Sequence, residues 1–211
     1  MTRFSAADIE RFWRNQNDRR RALRARMDER RLPYAVAVES LSKDANLGNL
    51  IRTANAFLCG EIFLIGSPVF DPTGAGAVYR FERMRHFPDR EGFLRAAAEG
   101  GYRIVAVEID ARAELLHRFT FPPKPLFLLG SELHGLSAEL ADRAEARVMI
   151  PQYGLVPCLN VNVSCSIVLH HYVTTTFPEL QPVPISGAKF QADPGSGQSK
   201  GTPPSPARGG R

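Results

Sequence analysis

Cysteine, tryptophan and long apolar runs are what this chain has least of. Its three cysteines, Cys59, Cys158 and Cys165, are an odd number without metal-ligand spacing, which argues against a disulfide framework and leaves no zinc site. No stretch reaches the ~18 uninterrupted apolar residues that a membrane-crossing helix needs. The first residues, MTRFSAADIERFWRNQNDRRR, carry charge where a secretion signal has its apolar block. The expectation is a cytoplasmic protein with reduced thiols, no metal and no membrane span.

What is present is ordinary in amount and uneven in placement. With 211 residues, 44% hydrophobic and 9% aromatic, the chain can fill one core but hardly two. The net charge of +5 sits at the ends. Residues 1–31 hold ten arginines against five acidic residues, and residues 181–211 hold four basic residues against Asp193. The stretch between has 13 basic and 16 acidic residues, a net −3. This division suggests basic extensions that hold a polyanion beside a near-neutral working domain. Solubility of a surface helix is the plainer alternative.

Periodicity supplies the architecture. Ser5 is a plausible cap for a helix over 6–31, with Ile9, Phe12, Trp13, Leu23 and Met27 on one side and Arg11, Arg14, Arg21 and Arg24 on others. Guanidinium groups so placed suit phosphate contacts. Apolar runs at 34–39, 61–65, 102–108, 126–129 and 148–150 read as strands, and helices are expected over 42–60, 88–98, 110–118 and 159–172. Gly60 is read as the close of the 42–60 helix. Strands alternating with helices indicate an α/β fold, a mainly parallel sheet with helices on both faces. Three parts follow: a basic helical extension (1–31), a working domain (32–179) and a Pro/Gly/Ser-rich tail expected to be disordered (180–211).

Three turns carry polar groups that could do chemistry. Asn46, Asn49 and Arg52 are spaced to converge near the edge where parallel strands end. In GSELHG, Gly130 and Gly135 permit close backbone approach, and Glu132 between them suits a structural acceptor for loop amides. The stretch RVMIPQYGLVPCLNVNVSCSIVLHHY, 147–172, joins a strand to a helix, and Asn160 and Asn162 stand where asparagine caps free N–H groups. The adjacent His170 and His171 point about 100° apart on a helix, which argues against a shared metal. DPTGAGA at 71–77 has the glycines of a dinucleotide-binding turn without its strand and helix. It is read as a loop over 70–83, either a plain surface loop or one that brings Arg80, Arg83, Arg85 and His86 to an anionic substrate.

NLGNLIRTANAFLCG (46–60), FLLGSELHGLS (127–137) and IPQYGLVPCLNVNVSCSIVLHHY (150–172) resemble, in order and spacing, the three motifs of the SpoU-type (TrmH-like) ribose 2′-O-methyltransferases of the SPOUT superfamily. The likeness spans about residues 34–177. It implies a deep trefoil knot near the C-terminal end of the domain, S-adenosylmethionine held there, tRNA or rRNA as substrate, and a homodimer with active sites at the subunit interface. By the same resemblance, backbone around Leu128, Leu129, Gly130, Ile150 and Leu159 would receive the adenosine end, and Gly135 and Gly154 would let the loops close. Arg52 and Asn46 would be catalytic, Glu132 would brace the site and Asn160 would hold the third motif. Arg11, Arg14, Arg21, Arg24, Arg80 and Arg85 are the expected RNA contacts. Where relatives commonly have Ser, this chain has Cys158, a weaker hydrogen-bond donor. An RNA-binding relative without full catalytic power therefore stays as the alternative.

Overall fold

Seven short segments pair side by side into one parallel sheet. The computed structural model describes residues 18, 20–39, 44–66, 72–131 and 134–181. Strands β1 (Ala35–Glu39), β2 (Glu61–Ile65), β3 (Met84–Phe87), β4 (Arg103–Val107), β5 (Glu114–Leu115), β6 (Pro125–Leu129) and β7 (Ala146–Met149) lie in the order β3-β2-β1-β6-β4-β7-β5. Every pairing is parallel. β1 and β6 are buried along their whole length, which is why AVAVE and PLFLL show little polar alternation.

Helix α1 is described over 20–30. It is followed by α2 (Asp44–Ala56), α3 (Arg90–Glu99), α4 (Ala138–Arg143) and α5 (Val161–Thr176). Side chains two apart share a sheet face. Ala35, Ala37, Phe63, Ile104, Ala106, Leu126 and Leu128 pack with Phe93 and Ala97 of α3 and Leu140 of α4. On the opposite face the rings of Tyr34 and Phe127 meet Tyr172 of α5 at 5.1 and 5.3 Å, and α2 lies against α5. The sheet is thus covered on both sides, as the alternating pattern predicts. β6 enters between β1 and β4, and β7 between β4 and β5. The turns that follow them therefore emerge mid-sheet at the C-terminal edge, where open α/β folds bind ligands.

Local structure departs from expectation where the apolar pattern is weak. The expected loop over 70–83 contains 3-10 turns over Pro72–Phe81, broken at Gly76 with φ 59°. The expected helix over 110–118 is instead β5 and a single 3-10 turn, Leu116–Arg118. β3, MRHF, has no apolar run to announce it; it is an edge strand with Arg85 and His86 exposed. β7 begins and ends earlier than expected, so Ile150 lies beyond it. Helix α2 ends without help from Gly60. Leu58 takes the left-handed conformation (φ 57°), while a Cβ at Gly60 would stand 2.7 Å from the Tyr34 carbonyl oxygen. Much of the expected 6–31 helix and most of the tail lie outside the described residues.

Candidate active site

The turns after β4, β6 and β7 surround a cavity of about 230 Å³. Its walls include Leu129, Leu136, Ile150, Pro157, Leu159 and Val161, with Glu108, Ser131, Gln152, Cys158 and Ser164 as the polar members. Two of the turns are folded tightly. Ser131 and Gly135 exchange backbone hydrogen bonds of 3.1 and 2.9 Å, and Gly135 has φ 64°. A Cβ at Gly130 would stand 2.1 Å from the Gly135 carbonyl carbon, and one at Gly135 would stand 2.7 Å from Oε1 of Glu108. Gly130 is there because backbone occupies the space of a side chain, and Gly135 because its φ is left-handed and the Glu108 carboxylate stands where a Cβ would go.

Carboxylates at strand ends hold these turns. Oε1 of Glu108, just past β4, accepts from the Leu136 amide at 3.3 Å. Glu39, the last residue of β1, is buried and accepts from the Ser137 amide at 2.8 Å and from Arg90 Nε at 2.6 Å. Burial pushes the Glu39 carboxyl up, but the Ser137 amide and the Arg90 guanidinium outweigh it and the group lies below its ordinary value. Asp110 does the same for the turn after β4. The Arg112 backbone N–H, with the Arg112 and Arg147 side chains, holds its carboxyl at about 2.

A second set of bonds ties the cavity's rear wall to α2. Asn160 caps α5 by accepting from the Asn162 amide at 2.9 Å. Its Nδ2 donates to Oδ1 of Asn46 at 3.0 Å, across 114 residues of chain. The Thr53 hydroxyl donates to Oδ1 of Asn162 at 3.2 Å and lies 3.1 Å from the Ser166 hydroxyl. Arg52, beside Thr53, is exposed on α2. It makes no hydrogen bond or ion pair among the described residues.

A profile described as the SpoU rRNA Methylase family matches residues 33–170. The chain belongs to that family. Among its SpoU relatives, the tRNA (guanosine(18)-2'-O)-methyltransferase of Thermus thermophilus is 29% identical over 160 residues, 72% of this chain and 82% of the relative. The mouse tRNA (guanosine(18)-2'-O)-methyltransferase TARBP1 is 29% identical over 143 residues, 65% of this chain but 9% of that protein. The crystal structure of the AdoMet bound rRNA methyltransferase from Sinorhizobium meliloti superposes with TM-score 0.63 at 26% identity, covering 67% of this chain and 56% of that one. The A. aeolicus TrmH/SpoU tRNA modifying enzyme superposes with TM-score 0.65 at 19% identity, covering 74% and 81%, a likeness of fold.

Of the SpoU cofactor residues expected from the sequence, Leu129, Gly130, Gly135, Ile150 and Leu159 line the cavity. Leu128 is fully buried in the core on the α3 side. Gly154 lies on the exposed loop, where a Cβ would meet nothing within 4 Å. Asn46 and Asn160 are bonded to one another, and Arg52 does not line the cavity. Glu132 and, among the expected RNA contacts, Arg11 and Arg14 fall outside the described residues. Arg21, Arg24, Arg80 and Arg85 are exposed; Arg80 lies over the Tyr79 ring and Arg85 over Phe63 and Phe87. Glu39, Glu108 and Gln152 were missed. For the two glutamates a signal exists, an acidic residue at or just past the end of an apolar parallel strand.

Proposed function

We propose that this protein methylates a ribose 2′-hydroxyl of structured RNA, tRNA or rRNA, using S-adenosylmethionine, and that it does so in the cytoplasm as a homodimer. The Asn160–Asn46 bond carries this reading. It joins the cavity wall to the helix that presents Arg52, so that a ligand in the cavity and an RNA at α2 share one frame. The cavity's chemistry suits the cofactor. Apolar walls suit a purine, and a lining that among the described residues holds Glu108 and no Arg, Lys or His suits a ligand with a sulfonium and an ammonium group. When bound, S-adenosylmethionine supplies an electrophilic methyl group.

The chain's own residues then position the other reactant. Arg52 holds the ribose hydroxyl and its neighbouring phosphate and stabilises the negative charge that develops on oxygen as the methyl leaves the cofactor sulfur and the hydroxyl proton passes to water. A protonated guanidinium has donors only, so this role fits it better than that of a base. Asn46 and Asn160 fix the third motif, and holding the hydroxyl in line supplies most of the rate; Glu132 keeps the bracing role that the resemblance assigns it. Arg52 stands outside its own cavity wall, and α5 and the loop after β7 expose Val163, Ile167, Tyr153, Leu155 and Val156. These observations support a second copy packed here, with the trefoil threading of the third motif completing each site. Residues 1–31 act as the RNA-docking arm of the 32–179 domain, and 180–211 as a tether.

The test is Arg52→Ala assayed with labelled S-adenosylmethionine on tRNA and rRNA transcripts. Turnover should fall about a hundredfold or more, with cofactor affinity unchanged by calorimetry. Unaltered turnover sinks the assigned role. Cys158 is exposed and lines the cavity, so a silent cofactor titration on folded protein would favour the RNA-binding relative instead.

A further inference from the structure

Among the described residues, one buried side-chain nitrogen or oxygen has no hydrogen-bond partner: Oε1 of Gln152. It belongs to a residue lining the cavity. Buried acceptors are almost always paired, because leaving one unpaired forfeits its hydrogen bond to water and returns nothing. The Gln152 oxygen has no exposed surface; its lack of a partner is explained if the ligand, on entering, turns the amide toward the cavity and supplies the donor. We propose that Gln152 is a specificity residue whose side-chain carbonyl accepts from the exocyclic amine of the cofactor's purine. The inference rests on the function proposed above and deepens it.

The division of chemistry within the cavity points to that donor rather than another. The cofactor offers three kinds of donor: a charged ammonium, a vicinal sugar diol and a neutral aromatic amine. The second acidic or amide acceptor of the lining is Glu108. One of its oxygens accepts from the Leu136 amide, and the other has no hydrogen-bond partner among the described residues. A carboxylate oxygen suits the ammonium or the diol, where charge or paired hydroxyls reward it. A neutral amide carbonyl on a residue that shares the cavity lining with Leu129, Ile150, Pro157 and Val161 suits a flat ring with a neutral N–H at its rim. Purine stacking in such walls is indifferent to the substituent. A single enclosed acceptor is what makes the site choose, since a ligand lacking the donor leaves that acceptor stranded.

Titration calorimetry on the full chain tests this with two compounds, S-adenosylhomocysteine and the analogue in which hydrogen replaces the exocyclic amine. The wild type should prefer the amine-bearing compound. Gln152→Met, close in shape and without the acceptor, should shrink that preference by about tenfold. Gln152→Glu retains an acceptor and should retain the preference. If both compounds bind and their ratio is the same in the wild type and Gln152→Met, or if Gln152→Met weakens both equally, the assignment of Gln152 falls while the methyl-donor reading stands. If the wild type binds neither compound, the inference falls together with the function it rests on.

Discussion

Arg31 closes the run of ten arginines that makes the first 31 residues basic, and by composition alone it belongs with the rest. The folded chain buries it. Its side chain is 4% exposed and that of Glu82 fully buried, with Nη1 of Arg31 2.8 Å from Oε2 of Glu82. Nε donates to Asp28 at 2.8 Å, Nη1 also to the Cys59 carbonyl at 2.6 Å, and Nη2 to the Phe81 carbonyl. The other Glu82 oxygen accepts from Asn55 of α2 at 2.6 Å. A buried charge so fully bonded adds little over a well-packed apolar pair, but removing one partner strands the other. Arg31→Met should therefore cost roughly 3–5 kcal/mol, read as a shift of the urea midpoint. The double variant R31M/E82Q should cost clearly less than the two single changes summed. Nothing in the sequence separates Arg31 from Arg30, because the partner that distinguishes them is 51 residues away.

Elements show a similar division between what periodicity announces and what contact decides. The buried faces of α2, β1 and β6 follow from apolar spacing, and each was legible. The close approach at Gly130 and Gly135 was legible as well; the use of Gly48 was not. A Cβ on Gly48 of α2 would stand 2.7 Å from backbone atoms of Gly74 and Ala75, so Gly48 lets the helix lie directly against the Pro72–Phe81 segment. Gly130 is the tighter case. Gly130→Ala would force the turn after β6 away from Gly135, and a backbone neighbour cannot rotate aside as a side chain can. We expect a loss of about 1–3 kcal/mol, the range for overpacking, together with loss of S-adenosylmethionine binding, because both glycines line the cavity. Thermal unfolding and a cofactor titration on the same sample measure the two effects. A stable Gly130→Ala protein that binds the cofactor normally would show that the turn can open without consequence.

For the molecule as a whole, the Arg31 clamp ties the last of the first 31 residues to Cys59, Phe81 and Glu82, and that contact decides how the proposed arm should be tested. Removing 1–31 would break the clamp and confuse stability with RNA binding. Removing 1–27 keeps Asp28 and Arg31 while taking away Arg11, Arg14, Arg21 and Arg24. The shortened protein should bind RNA more weakly, with a log–log salt slope shallower by about 3 if those four arginines meet phosphates; an unaltered slope would mean that they do not. The sequence by itself determined the α/β class, the parallel sheet covered on both faces, the uneven charge and the family, because these depend on apolar period, composition and motif order along the chain. Tertiary structure alone decided that the turn after β4 joins the cavity wall, that Asn46 and Asn160 are bonded, that Arg31 is buried and that Gln152 carries an unpaired acceptor. Each of these depends on groups far apart in sequence meeting within hydrogen-bond or van der Waals range, or failing to, and a linear pattern holds no distances between them.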